Sequence, residues 1–333
     1  MTPRARYVVL MSFLGLLVCV LFVASLLIGP AGLGIKASLS ALFAADGNVV
    51  AIVMQEIRLP RAILGAAIGA SLGLSGAAMQ GYLRNPLAEP GLLGISASAS
   101  LGAVIAIYTG ISVAFPLALP IMALVGAIMA VALVRVLAGR SATPISLILA
   151  GVAVSSFAGA LTSLVLNLSP NPFAALEIVF WMLGSLKDRS MMHVWLSLPF
   201  ILVGWIMLAQ VARALDALTL GEATAASLGF RLQRVQALVV LGTALSVGAG
   251  TAVAGAIGFI GLIVPHILRP LVGGHPSRLL GASALGGAAV LLSADIAVRV
   301  IAPERDLKLG VLTALVGAPF FLWLIFKTRR ELI

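Results

Sequence analysis

The sequence predicts an all-α integral membrane protein of about ten transmembrane helices, at ~20 residues per crossing. Hydrophobic residues fill 61% of its 333 positions and charged residues 10%. Soluble domains run near ~45–50% and ~25%, so there is too little polar material here to cover a globular surface. Mean hydropathy is +1.17, and the uncharged runs are continuous rather than alternating. In lipid only helices or a closed barrel satisfy every backbone N–H and C=O, and continuous runs select helices.

Arg4 and Arg6 precede the first run, near 8–29. It is longer than the ~7–15 apolar residues of a secretory signal and reads as a retained span. The second span, near 60–82, ends at Asn85-Pro86-Leu87-Ala88-Glu89-Pro90-Gly91. Two prolines there stop one helix and open the next. Spans near 91–108, 117–138, 145–167 and 194–211 follow, and after a polar loop over 212–235 come spans near 235–255, 257–271, 279–300 and 309–326. The 257–271 span is short and contains Pro265 and His266. A lone histidine beside proline is a packing or capping group more often than a ligand. The chain, 1–333, reads as a single transmembrane domain.

Small residues recur every fourth position in three spans: Gly65, Gly69, Gly73, Ala77 and Gly81; Gly151, Ser155, Gly159 and Ser163; Gly242, Ser246, Gly250, Ala254 and Gly258. Such stripes let helix backbones approach closely where no aqueous hydrophobic effect drives them together. Their plain reading is helix packing.

The formal net charge is +10, but the positive residues punctuate apolar segments instead of forming a stripe, which argues against nucleic acid and for topology signals. With Arg4 and Arg6 inside, alternating the spans puts 13 Lys and Arg on the cytoplasmic side and 8 outside. Both basic termini then lie in the cytoplasm, which requires an even number of spans. The outer positives, among them Lys36, Arg58, Arg61, Lys187, Arg189, Arg299, Arg305 and Lys308, point to an acidic partner outside.

Catalytic and metal chemistry find no residues to carry them. His193, His266 and His275 are scattered, and Cys19 is the one cysteine, so neither a disulfide nor a thiolate metal site is expected. Gly29 to Lys36 reads GPAGLGIK; Ile35 separates the last glycine from the lysine, and no Lys-Ser/Thr pair follows, so it is no phosphate loop. Coupled secondary transport needs ionisable groups near the midplane. Only Gln80, His266 and Asp295 stand out as polar in the spans, all toward their ends. The energy source is therefore expected on another subunit.

Within 212–235, Thr219 and Glu222 have capping-box spacing and Gly229 supplies a stop, which predicts a short helix over Leu220 to Leu228 outside the lipid. Interfacial helices usually show a Lys/Arg face. Here Arg213, Arg231 and Arg234 only flank the helix, which favours docking onto a protein.

Seven segments in order, IRLPR (57–61), MQGYLRNPLAEPGLLGIS (79–96), LAGVAVSS (149–156), TLGEATAASLG (219–229), GAIGFIGLIVPHILRPLVG (255–273), SADIAVR (293–299) and LGVLTALVGAPFFLWLI (309–325), resemble the FecCD-type permeases of bacterial ABC importers for iron-siderophores, haem and vitamin B12. The resemblance covers nearly the whole chain. It implies type II ABC importer permease architecture in the bacterial inner membrane: a half-permease that pairs with a second copy, two ATP-binding subunits inside, and a periplasmic substrate-binding protein outside. ATP and magnesium would sit on the partner ATPase, with no cofactor bound by this chain.

Residue by residue, the resemblance implies that Arg58, Arg61 and Arg299 meet acidic residues of the binding protein; Arg305 and Lys308, charges of this chain's own at the same outer corner, are expected to add to that docking. Asn85 and Leu87 match a cytoplasmic constriction, Thr143 to Ser146 lie where a second constriction is expected, and Gln80 joins this pathway set. Glu222, Ala223, Ser227, Leu228 and Gly229 match the helix that inserts into the ATPase. One departure stands out. The family commonly opens its last span with Glu-x-Pro-x-Gly, where this chain has Asp306-Leu307-Lys308-Leu309-Gly310. The competing readings are a secondary transporter or channel working alone and a structural membrane subunit.

Overall fold

The computed structural model describes all residues except 1, 30, 31, 33, 45, 46, 116, 140–142, 170, 304, 305, 332 and 333, and only the backbone of 328–331. Its helices in chain order are α1 (Pro3–Leu27), α2 (Ile35–Ala41), α3 (Val49–Ile52), α4 (Leu59–Leu83), α5 (Ile95–Tyr108), α6 (Ile111–Ala114), α7 (Ala118–Ala138), α8 (Pro144–Asn167), α9 (Pro172–Met182), α10 (Met191–Gln210), α11 (Ala212–Leu218), α12 (Glu222–Ser227), α13 (Leu232–Ala254), α14 (Ile260–Leu268), α15 (Pro276–Ile301) and α16 (Leu309–Glu331). A π-helical stretch, Val53–Arg58, joins α3 to α4, so Val49–Leu83 runs as one helix of 35 residues.

Among the described residues, eight helices are long and apolar enough to cross a bilayer: α1, α3–α4, α7, α8, α10, α13, α15 and α16. The two remaining predicted spans are realised differently. The stretch near 91–108 becomes a 3₁₀ turn, Pro90–Leu93, followed by the 14-residue α5. The stretch predicted as a span over 257–271 contains only the 9-residue α14, about 13 Å long at 1.5 Å per residue, under half of a ~30 Å hydrocarbon core. Its run is apolar enough, but Gly258 and Phe259 interrupt the helix, and Phe259 sits in the left-handed region at φ +67°.

The centre of the bundle is α4, most of whose residues are buried. It packs hardest against α15, running in the opposite direction, and glycines set that approach. A methyl group on Gly69 or Gly73 would overlap the carbonyl of Gly287 or Ser283, and one on Gly287 would overlap that of Gly69. The small-residue stripe of the second span is thus a helix–helix seam. In α8 the stripe divides: Gly151 lies against the Leu92 carbonyl, while Gly159 faces open space. Interhelical hydrogen bonds add specificity, with Trp205 Nε1 donating to Ser71 Oγ at 2.9 Å and the Ser75 and Ser246 hydroxyls paired at 3.2 Å.

Candidate functional site

Because α4 and α15 are antiparallel, they bring Arg61 to Asp295 at one end of the bundle and Gly81 to Pro276 at the other. These two ends hold most of the polar side chains the sequence singled out.

At the first end Asp295, 1% exposed, collects two arginines. Arg61 binds it through Nε at 3.0 Å and Nη2 at 2.8 Å, and Arg299 through Nη2 at 2.7 Å. Arg299 also donates to the Ser25 and Ile28 carbonyls at 2.8 and 2.7 Å. Arg58, 5% exposed, donates to the Leu26 and Leu27 carbonyls at 2.9 Å each. Those are the last carbonyls of α1, which lack helical partners and carry the negative end of its dipole. Arg58, Arg61 and Arg299, which the family resemblance assigns to binding-protein docking, thus all have partners within this chain. Asp295 and the end of α1 are buried in this corner, and the arginines turn inward to satisfy them. Arg61 and Arg299 still reach the wall of an open cavity of about 80 Å³, shared with Lys187 and Asp306. Arg305 lies outside the described residues.

The Asp306-Leu307-Lys308 departure builds its own small network at that rim. Lys308 pairs with Asp306, Lys187 approaches the same carboxylate at 3.8 Å, and Lys308 Nζ lies 5.2 Å from the Phe180 ring centre. The Lys308 hydrogen bond holds the Asp306 carboxyl below its ordinary range, with Lys187 and Arg61 adding to the effect against modest burial. Lys187 is half exposed and is the accessible cation among the described residues of this rim.

At the opposite end, α11 buries Ala214, Leu215, Ala217 and Leu218 and presents α12. Glu222, Ala223, Ser227, Leu228 and Gly229 are all exposed, and only Ala225 of α12 is buried. Gly229 at φ +90° ends the helix as predicted; its N–H bonds the Ala226 carbonyl and that of Phe230 the Ala225 carbonyl. The predicted capping box does not form. Thr219 Oγ1 donates to the Asp216 carbonyl at 2.7 Å, Gly221 at φ +104° delays the start of α12, and the Glu222 carboxylate pairs with Arg84 at 2.8 Å. Asp216 in turn accepts the Ser277 backbone N–H at 2.9 Å, capping α15 from outside that helix. The segment from α11 to α12 is thereby tied to the ends of both α4 and α15. Neither tie was singled out from the sequence, because the partners lie 138 and 61 positions apart.

The predicted pathway residues divide. Asn85 Oδ1 accepts the Leu87 N–H at 2.9 Å, an Asx turn that leaves Leu87 half-buried three residues after Arg84. At the N-terminus of α8, Ser146 donates its N–H to Thr143 Oγ1 at 3.2 Å and its hydroxyl to the Thr143 carbonyl at 2.9 Å. Gln80 is 1% exposed and joins α14 to α4, donating to the Leu262 carbonyl at 3.3 Å and accepting from Arg269 at 2.7 Å. It is a strut inside this chain rather than an open lining residue. A cavity of about 570 Å³ lies between α7, α8 and α13, lined by residues that include Arg135, Gln233 and Gln236. Among the described residues no three His, Cys, Asp or Glu side chains converge on a metal position.

These features have counterparts in known proteins. The model of the FecCD transport family matches residues 16–327. The Fe(3+)-citrate import system permease protein YfmD of Bacillus subtilis is 36% identical over 307 residues, covering 92% of this chain and 91% of that protein. The vitamin B12 import system permease protein BtuC of Vibrio cholerae is 36% identical over 328 residues, covering 98% of this chain and 95% of that protein. The solved structure of an inward-facing metal-chelate type ABC transporter superposes with a TM-score of 0.84 at 31% identity, covering 95% of this chain and 98% of that one. With its multi-pass helical bundle and a family match across nearly its full length, the chain belongs to the FecCD transport family.

Proposed function

We propose that this chain is the permease subunit of an ATP-driven importer that carries a bulky iron chelate, haem or cobalamin inward across the bacterial inner membrane. The observation that carries the reading is α12. It is a six-residue helix displayed at the end of the bundle, with Leu220 68% and Leu228 59% exposed on either side. Exposed leucines flanking a short helix outside the spans suit a groove in a partner protein. In this family that partner is an ATP-binding subunit, which would hold ATP and magnesium.

The functional unit is two copies of the chain, two ATP-binding subunits and a periplasmic binding protein. With 13 positive residues on the side of both termini against 8 on the other, the charge bias favours a cytoplasmic α12 end. The Asp295 end then faces the binding protein. Arg61 and Arg299 serve there by holding the rim in shape, and Lys187 offers the accessible positive charge. ATP and loaded binding protein act by favouring different permease conformations, since only differential binding can shift such an equilibrium.

The test is reconstitution of the purified chain in vesicles, with and without its ATP-binding subunits and binding protein, using ferric citrate, haem and cyanocobalamin as cargo. Uptake of one of them should require ATP and every partner. Uptake by the chain alone down a gradient would assign it instead to stand-alone transporters.

A further inference from the structure

The segment from Arg84 to Gly94 does not stay at the bundle's end but climbs back into it. A methyl group on Gly261 would lie 2.7 Å from Pro90 Cδ and 2.9 Å from the Leu72 carbonyl, so Pro90 sits level with Leu72. Leu72 precedes the end of α4 at Leu83 by eleven residues, about 16 Å at 1.5 Å per residue and close to half of a ~30 Å hydrocarbon core. Glu89, adjacent to Pro90, is therefore an acidic side chain at mid-membrane depth. The Phe259 backbone N–H at the start of α14 is directed at its carboxylate.

Glu89 lines a cavity of about 180 Å³ whose other walls include Leu72, Pro90, Ser96, Val247 and Ile257. Among the lining residues Glu89 alone carries a charge. The cavity is open, and through Ala256, Gly258 and Phe259 it adjoins a second one of about 480 Å³ that reaches Met182 and the first turns of α16. A carboxylate at this depth is costly unless it has work to do. One backbone N–H, at a half-helix terminus of the kind transporters place at midplane, leaves acceptor capacity free on the cavity side.

Building on the permease reading, we infer that this cavity is a water-accessible station on the transport route, where Glu89 receives cationic or N–H-bearing groups of the cargo and disfavours anionic chelates. Ammonium and amide N–H groups complement the free carboxylate oxygen. An anionic chelate would be repelled by it in surroundings too apolar to screen the charge.

The experiment needs no ATP, partner or cargo, so its failure is separable from failure of the permease assignment. In the full chain with Cys19→Ser, Ser96→Cys places a thiol in the cavity wall. Its reaction rates with a trimethylammonium-bearing and a sulfonate-bearing methanethiosulfonate are measured in vesicles and divided, then normalised to the same ratio for a free thiol. The normalised cation-to-anion ratio should exceed one by about tenfold. It should fall toward one when Glu89→Gln is added and persist with Glu89→Asp. A ratio of one with Glu89 intact overturns the proposal whether or not Glu89→Gln folds, and so does failure of both reagents to react, which would mean a dry cavity and a purely capping Glu89.

Discussion

Arg84 and Glu222 meet at 2.8 Å, joining the last turn of α4 to the first residue of α12. Arg84 holds the left-handed conformation, φ +51°, that turns the chain toward Asn85 and Leu87. The pair therefore connects the proposed ATPase-docking helix to the proposed gate through one side-chain contact. Each partner is about half exposed, at 46% and 48%, so its worth to stability is small, ~0–1 kcal/mol. Its value lies in geometry.

Arg84→Glu or Glu222→Arg alone should leave the thermal midpoint nearly unchanged and lower transport per ATP hydrolysed severalfold in the reconstituted complex. The charge-swapped double variant should recover most of it. Single variants with normal coupling ratios would show that the contact transmits nothing.

Replacing Asp295 by alanine should be far more damaging. It strands Arg61 and Arg299, whose side chains are 15% and 6% exposed, and leaving a buried charge unpaired costs roughly 3–5 kcal/mol. Thermal unfolding in detergent should fall steeply for Asp295→Ala, and by less for Ser25→Ala, which removes one hydrogen bond to Arg299. Equal midpoints for Asp295→Ala and the parent chain would contradict the cluster's structural role. The same logic makes charge reversal at Arg58 or Arg299 a poor probe of docking, whereas Lys187→Glu should weaken binding-protein affinity, most at low salt, with only a small loss of stability from its exposed contact with Asp306.

Glycine substitutions separate the two kinds of small-residue position. Gly73→Ala forces a methyl into the Ser283 carbonyl and should cost ~1–3 kcal/mol as overpacking. Gly159→Ala meets open space and should be neutral in the isolated chain. If instead Gly159→Ala disrupts pairing of two copies while leaving each folded, cross-linking yields will reveal α8 as a contact between them.

Asp306 supplies a pH dependence with a definite sign. Its carboxyl titrates below the usual 3.8 because Lys308 and then the nearby Lys187 and Arg61 favour the ionised form. The stabilisation is thus fully present above the unfolded-state value and is lost as pH falls through the lowered folded-state value. Half-exposure of the carboxyl keeps it modest. The parent chain should lose slightly more stability than Asp306→Asn between pH 6 and pH 3, as read by thermal melts at both values.

Sequence alone determined that this is a membrane bundle, where its long spans run, that Gly229 stops a short helix outside them, and which family it belongs to, since those properties follow from local hydropathy, turn chemistry and linear motifs. Only the tertiary structure decided that Arg58, Arg61 and Arg299 turn inward, that Gln80 is a strut, that Glu222 pairs with Arg84 rather than capping its own helix, and that α14 stops at half the thickness of the bilayer. The side-chain pairings among these depend on partners brought from tens to hundreds of positions away. A charged side chain goes to whatever unsatisfied carbonyl or carboxylate the packing of the helices sets beside it, and periodicity along the chain carries no record of that neighbour.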